Sequence, residues 1–437
     1  MFNILYSNRF FLSILIAGFV VYADSVQANF EIKHWTTNKG VPIYHVYESE
    51  LPMVDIELIF DAGSARDGEL YGLAHLVTEL LAYGADGMDA DQITTAFDSI
   101  GAQYSTDTGR DATSISLRTL TSQLRESTEL LTAIVSAADF PEQALEQVRT
   151  RTLTAIRKQA QEPSTIASIA LFKALYGDHP YGHPRIGLAE TVSAISLADV
   201  KDFYNEYFTA SNIQISIVGD INSAQAEQLA DKLTSRLAIG TKPPPLPLAE
   251  QASDYGEIRI PFDSKQAHVY IAQLTIGFND PDYFPLYVGN HILGGGGFGS
   301  RLLEEIRVKR GYAYSAWSYF IPQRKRGPFV VGFQTSIDQA DDALALARKL
   351  IAEYIEDGPS ADELKLSKQH IKGSFALRVG SNAQISNWLR RIIVEKLELD
   401  YTNTFTEKTE QVEREQIINR FKKHIQPDKM IAIIVGG

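Results

Sequence analysis

Asn212-Ile213-Gln214-Ile215-Ser216-Ile217-Val218-Gly219 decides the fold once it is set beside Met430-Ile431-Ala432-Ile433-Ile434-Val435-Gly436. Both are short apolar runs rich in β-branched residues and closed by glycine, the pattern of a buried strand. Gly219 and Gly436 lie 217 residues apart, and the helical pair Tyr204 and Phe208 maps onto Phe421 and Ile425 at the same offset. Two copies of one unit follow, and an internal repeat settles the architecture before any single element does. The expected fold class is α+β: two tandem homologous domains, each a mainly antiparallel sheet covered on one face by helices.

Working outward from the two strands, Thr241-Lys242-Pro243-Pro244-Pro245-Leu246-Pro247 is a stiff connector between the copies. The expected boundaries are an export signal at 1–28, a first domain at 29–240, the proline-rich connector at 241–252 and a second domain at 253–437. In the first copy, residues 31 to 60 alternate as strands, and Leu73, Leu76, Val77, Leu80 and Leu81 form a helical stripe ended by Gly84. Further helices are expected at 90–100, 121–138, 141–161 and 196–208, with strands at 102–108 and 113–119. The second copy repeats the plan, with strands near 257–262, 268–277, 312–320 and 329–335 and helices at 338–356, 360–379 and 382–397.

Arg9 precedes an apolar run, Phe10 to Val21, too short to span a bilayer, and Val26-Gln27-Ala28 offers small residues for cleavage. A periplasmic or secreted location is therefore expected, with no membrane insertion of the mature chain. The chain has no cysteine, which removes disulfides and thiol catalysis. Its formal charge of -13 disfavours nucleic-acid binding, which needs clustered Lys and Arg.

The chemistry-bearing stretch is Gly294-Gly295-Gly296-Gly297-Phe298-Gly299-Ser300-Arg301-Leu302-Leu303-Glu304-Glu305-Ile306-Arg307-Val308-Lys309-Arg310-Gly311-Tyr312-Ala313-Tyr314. Four consecutive glycines resist helix and strand, so they mark backbone that is mobile or closely approached. Ser300 is placed as an N-cap, Leu302, Leu303 and Ile306 as an apolar stripe, and Gly311 as the stop. The run lacks the Gly-Lys-Ser/Thr ending of a phosphate loop. His179 and His183 have ligand-like spacing, but Pro180, Gly182 and Pro184 exclude a helix that would put them on one face.

In combination, Gly72-Leu73-Ala74-His75, His179-Pro180-Tyr181-Gly182, Val218-Gly219-Asp220 and the run from Gly294 to Tyr314 resemble the insulinase/pitrilysin family of inverted-motif zinc peptidases. The resemblance covers essentially the whole mature chain, and within the family it is nearest the two-domain bacterial type and the non-catalytic, processing-peptidase alpha-type subunit. It implies that Gly294, Gly295, Gly296 and Gly297, with Arg307 and Tyr314, hold the substrate backbone, and that the His179 loop is a structural turn.

Where the family carries His-x-x-Glu-His, this chain has His75-Leu76-Val77-Thr78-Glu79. Thr78 stands at the general-base position, where a hydroxyl is no useful proton acceptor near neutral pH. Glu79 stands at the second ligand position. The following helix, which supplies a third ligand in the family, reads Arg151-Thr152-Leu153-Thr154-Ala155-Ile156-Arg157, with no carboxylate and two cations. The expectation is no catalytic residue and no bound metal in this chain, with zinc residing in a homologous partner. The reading is a non-catalytic, substrate-binding subunit of a heterodimeric zinc endopeptidase acting on peptides. The alternatives are a stand-alone peptide-binding or scaffold protein, and an active zinc peptidase using His75 and Glu79.

Overall fold

A computed structural model describes residues 30–250 and 256–437. The export signal read at 1–28 lies outside the described residues, as do the last two positions of the connector. The strands are β1 (Lys33–Thr36), β2 (Pro42–Tyr47), β3 (Met53–Phe60), the short ribbon β4 (Gly84–Ala85) and β5 (Met88–Asp89), β6 (Gln103–Thr108), β7 (Thr113–Leu120) and β8 (Ile213–Gly219) in the first half. The second half holds β9 (Glu257–Ile260), β10 (Gln266–Leu274), β11 (Ala313–Phe320), β12 (Pro328–Ser336) and β13 (Ile431–Val435).

The duplication is written in the sheet order. The first sheet runs β1-β2-β8-β3-β7-β6, and the second, read from its β9 edge, runs β9-β13-β10-β12-β11. Apart from the added edge strand β1 the two orders superimpose. In both, the closing strand pairs parallel to the opening one (β2 with β8, β9 with β13) while the remaining pairs are antiparallel. The two closing glycines have one physical reason. Gly219 and Gly436 share a φ of +141°, and a Cβ would meet Met53 O at 2.1 Å in the first and Gln266 O at 2.6 Å in the second. Only glycine lets the neighbouring strand pass that close.

One expectation is corrected: the sheets are not covered on a single face. Seven of the eight residues of β3 are buried, which requires cover on both sides. The cover is exchanged between halves. Helix Pro163–Tyr176, from the first half, lies on β10 and β13, where Ala167, Leu171 and Leu175 join a cluster with Leu274, Ile431, Ile433 and Val435. Helix Asn382–Glu395, from the second half, lies on β3 and β8, and its Arg390 reaches Glu57 of β3 at 3.4 Å. The first of these helices escapes a periodicity reading because Ile166-Ala167-Ser168-Ile169-Ala170-Leu171-Phe172 is apolar nearly all round.

The halves are also pinned by a polar network. Arg324 pairs with Asp61, its backbone N–H donates to Asp111 at 3.0 Å, and the Tyr181 hydroxyl donates to the same Asp111 carboxylate. Arg66 grips Asp61 at 2.9 Å and donates to Pro244 O of the connector at 2.8 Å. Among the described residues no helix is long and apolar enough to cross a membrane.

Candidate functional site

Helix Leu73–Leu80 carries the vestigial motif. Its first turn is fastened by Asp67, whose carboxyl accepts from Gly72 N at 2.7 Å and Ala74 N at 2.8 Å. Thr78 points inward: its hydroxyl donates to Ala74 O at 2.7 Å and lies 3.4 Å from the Thr113 hydroxyl, so it faces no site. Glu79 is held in an ion pair by Arg151, which also donates to the Tyr83 hydroxyl at 2.9 Å. His75 Nε2 lies 3.4 Å from the Thr152 hydroxyl. Burial pushes the His75 imidazole below its ordinary pKa; Glu79 opposes this, and Arg151 and Arg185 add to it. The residues present do not fit a zinc ion. One imidazole and one carboxylate already taken by a guanidinium fall short of three protein ligands, and helix Glu142–Gln159 brings a cation where a ligand is needed.

Three other residues converge in the second half. Helix Tyr283–Asn290 runs on as a π-turn, His291–Gly295, so Gly294 and Gly295 end a helix instead of forming a free loop. This corrects the expectation that the glycine run stands outside regular structure. The reason is close approach: a Cβ on Gly294 would meet Ser318 Oγ at 2.3 Å and Ser318 N at 2.6 Å on β11. A second π-turn, Glu304–Val308, follows the single α-turn Arg301–Leu303 and carries Arg307. Ser300 occupies the N-cap position, but its hydroxyl donates back to Gly297 O at 2.8 Å instead of capping the helix. Gly311, at φ +65°, turns the chain into β11, and its N–H donates to Arg307 O at 2.9 Å. Arg307 and Tyr314 thereby meet, the guanidinium carbon standing 4.7 Å from the Tyr314 ring centroid and 5.3 Å from that of Phe298. Sequence reasoning missed Phe298, whose one signal is being the sole side chain among Gly294–Gly299.

The His179 loop is structural. Tyr181 is fully buried with its hydroxyl on Asp111, and the His183 ring stacks on Tyr71 at 4.2 Å. His179 Nε2 lies 3.2 Å from Pro247 O. Among the described residues one group of three potential metal ligands comes together, Asp280, Asp282 and His424. Arg420 and Lys423, each 2.6 Å from Asp282, already neutralise it.

Comparison with known proteins identifies similar chains and family models. Residues 45–188 match the family model described as insulinase (peptidase family M16), and residues 194–371 match the one described as peptidase M16 inactive domain. A crystal structure of a peptidase M16 inactive domain from Pseudomonas fluorescens is 34% identical, covers 93% of this chain and 97% of its own, and superimposes with a TM-score of 0.89. The non-peptidase homolog YmxG of Helicobacter pylori is 27% identical over 435 residues, 98% of this chain and 99% of that one. A protease from Helicobacter pylori shares the fold at a TM-score of 0.86 and 18% identity, covering 93% of this chain and 100% of its own.

Proposed function

Because this chain belongs to the insulinase (M16) peptidase family, we propose that it is a non-catalytic, substrate-binding subunit of a heterodimeric zinc endopeptidase that acts on peptides in the periplasm. The observation that carries the reading is an asymmetry between its halves: the guanidinium of Arg151 occupies the carboxylate of the degenerate motif, while Arg307 and Tyr314 stay together at the surface. A family member that keeps the donors and loses the Lewis acid needs a homologous subunit to bring zinc. Peptide hydrolysis requires both, since the metal polarises the carbonyl and positioned donors stabilise the oxyanion. Arg307 supplies charged N–H donors and Tyr314 a hydroxyl, and Tyr314 is 82% exposed, free to meet a substrate.

The test is reconstitution with a zinc-bearing homologue. Tyr314→Phe deletes only a hydroxyl and is expected to slow turnover by roughly 10²–10³ with heterodimer formation unchanged, the usual cost of one oxyanion donor. Arg307→Ala is expected to be at least as severe. Wild-type turnover in both variants would favour a peptide-binding or scaffold protein without a shared active site.

A further inference from the structure

Resting on the reading that Arg307 and Tyr314 hold substrate, we propose that Phe298, Arg307 and Tyr314 form a receptor for a peptide carboxylate, supplied by a free C-terminus or by an acidic side chain. The guanidinium carbon of Arg307 sits over the faces of both rings, at 5.3 and 4.7 Å from their centroids. A guanidinium held over aromatic rings by cation–π attraction spends none of its N–H donors on a hydrogen-bond acceptor there, and the edge that carries them is left to a ligand. Those N–H groups are unspent: among the described residues the Arg307 guanidinium has no hydrogen-bond or ion-pair partner, Glu304 three positions earlier included. Its neighbours differ. Arg301 is paired with Glu363, and Lys309 and Arg310 both with Glu305. On a chain of formal charge -13, Arg307 is thus the one cation of the stretch 301–310 left without a carboxylate.

The surroundings keep the edge open. Phe298 and Tyr314 are 81% and 82% exposed, large apolar faces left at the surface. Gly297 and Gly299, on either side of Phe298, have nothing within 4 Å of where a Cβ would stand, so a chain end approaches unobstructed. The parallel N–H groups of a guanidinium match the two oxygens of a carboxylate, whereas an amide oxygen engages the fork singly. The ligand class that fits is therefore a peptide with a carboxylate beside the held backbone.

The full chain, labelled to show the Arg307 Nε–H resonance, is titrated with Ac-Ala-Ala-Ala-OH, Ac-Ala-Ala-Ala-NH2 and Ac-Ala-Glu-Ala-NH2. The resonance is expected to move with the first or third peptide at an affinity about tenfold or more above the amide, as a charge-assisted pair requires. Response to the first alone identifies a C-terminus, and response to the third an acidic side chain. Arg307→Lys keeps the charge but not the fork, and Phe298→Leu removes one ring. Both are expected to weaken carboxylate binding about tenfold, with Phe298→Trp restoring it. Equal affinity for acid and amide, undiminished binding by Arg307→Lys, or no shift at millimolar peptide would each overturn the proposal. The subunit reading is judged separately, by the turnover of Tyr314→Phe in the reconstituted complex.

Discussion

Arg151 ties the one carboxylate of the His75–Glu79 motif into a salt bridge. Its guanidinium engages Glu79 and the Tyr83 hydroxyl, while His75 keeps Thr152 as a neighbour. Metal analysis of the dialysed protein is expected to find no stoichiometric zinc, and one tightly held ion lost on His75→Ala would refute this. Thr78→Glu alone is expected to leave the chain inactive, because position 78 is buried against Ala74 and Thr113 and the ligand set stays incomplete. Chelator-sensitive cleavage by the pure variant would show otherwise. Gly294 is the other decisive single residue. A methyl there collides with Ser318, which Asn290 holds through bonds of 2.9 and 2.6 Å. Gly294→Ala is expected to destabilise by about 1–3 kcal/mol, the usual cost of overpacking, read as a lower denaturation midpoint.

The first π-turn, His291–Gly295, takes in the start of the glycine run and the second, Glu304–Val308, follows it, and such turns are frequent at functional sites. The second one, ended by the left-handed Gly311, delivers Arg307 to Tyr314 from a different element. Helix Asn382–Glu395 supplies a test at the same scale. Burial pushes the Glu57 carboxyl up to about 7 against the opposing pull of Arg390 and Ser114. Because its folded pKa exceeds the ordinary 4.5, the native state binds more protons than the unfolded one between those values. Glu57 therefore contributes stability that is fully present below about pH 4.5 and is lost as pH rises to about 7. Glu57→Gln is expected to flatten the pH dependence of thermal stability across that window and to raise the melting temperature above it relative to wild type. A wild-type slope retained in the variant would mean that the ion pair to Arg390 outweighs the burial.

For the whole molecule, the exchange of helices decides cooperativity. Without helix Asn382–Glu395, β3 and β8 lose the cover on one face; without helix Pro163–Tyr176, β10 and β13 do. Residues 29–240 expressed alone are therefore expected to lack a cooperative unfolding transition, and residues 253–437 likewise, while co-expression restores one. A sharp transition in the first fragment by itself would show that the exchanged helix adds little. The Asp61–Arg324 and Tyr181–Asp111 contacts close the same junction, so domain motion about the connector is not the expected mode of this chain.

The two closing strands, the fold class and the lack of a carboxylate in Arg151–Arg157 were legible in the sequence, whereas Arg307 and Tyr314 were singled out by the family resemblance. A short apolar run closed by glycine reads as a buried strand wherever it stands, and the stretch Arg151–Arg157 offers no carboxylate. The tertiary structure alone decided which sheet an all-apolar helix covers, that Arg151 closes on Glu79, and that the glycine run ends a helix under Ser318. It alone put Phe298 beside Arg307. Those outcomes depend on which surfaces remain uncovered once every element has formed, and periodicity along one segment carries no record of the surface it will meet.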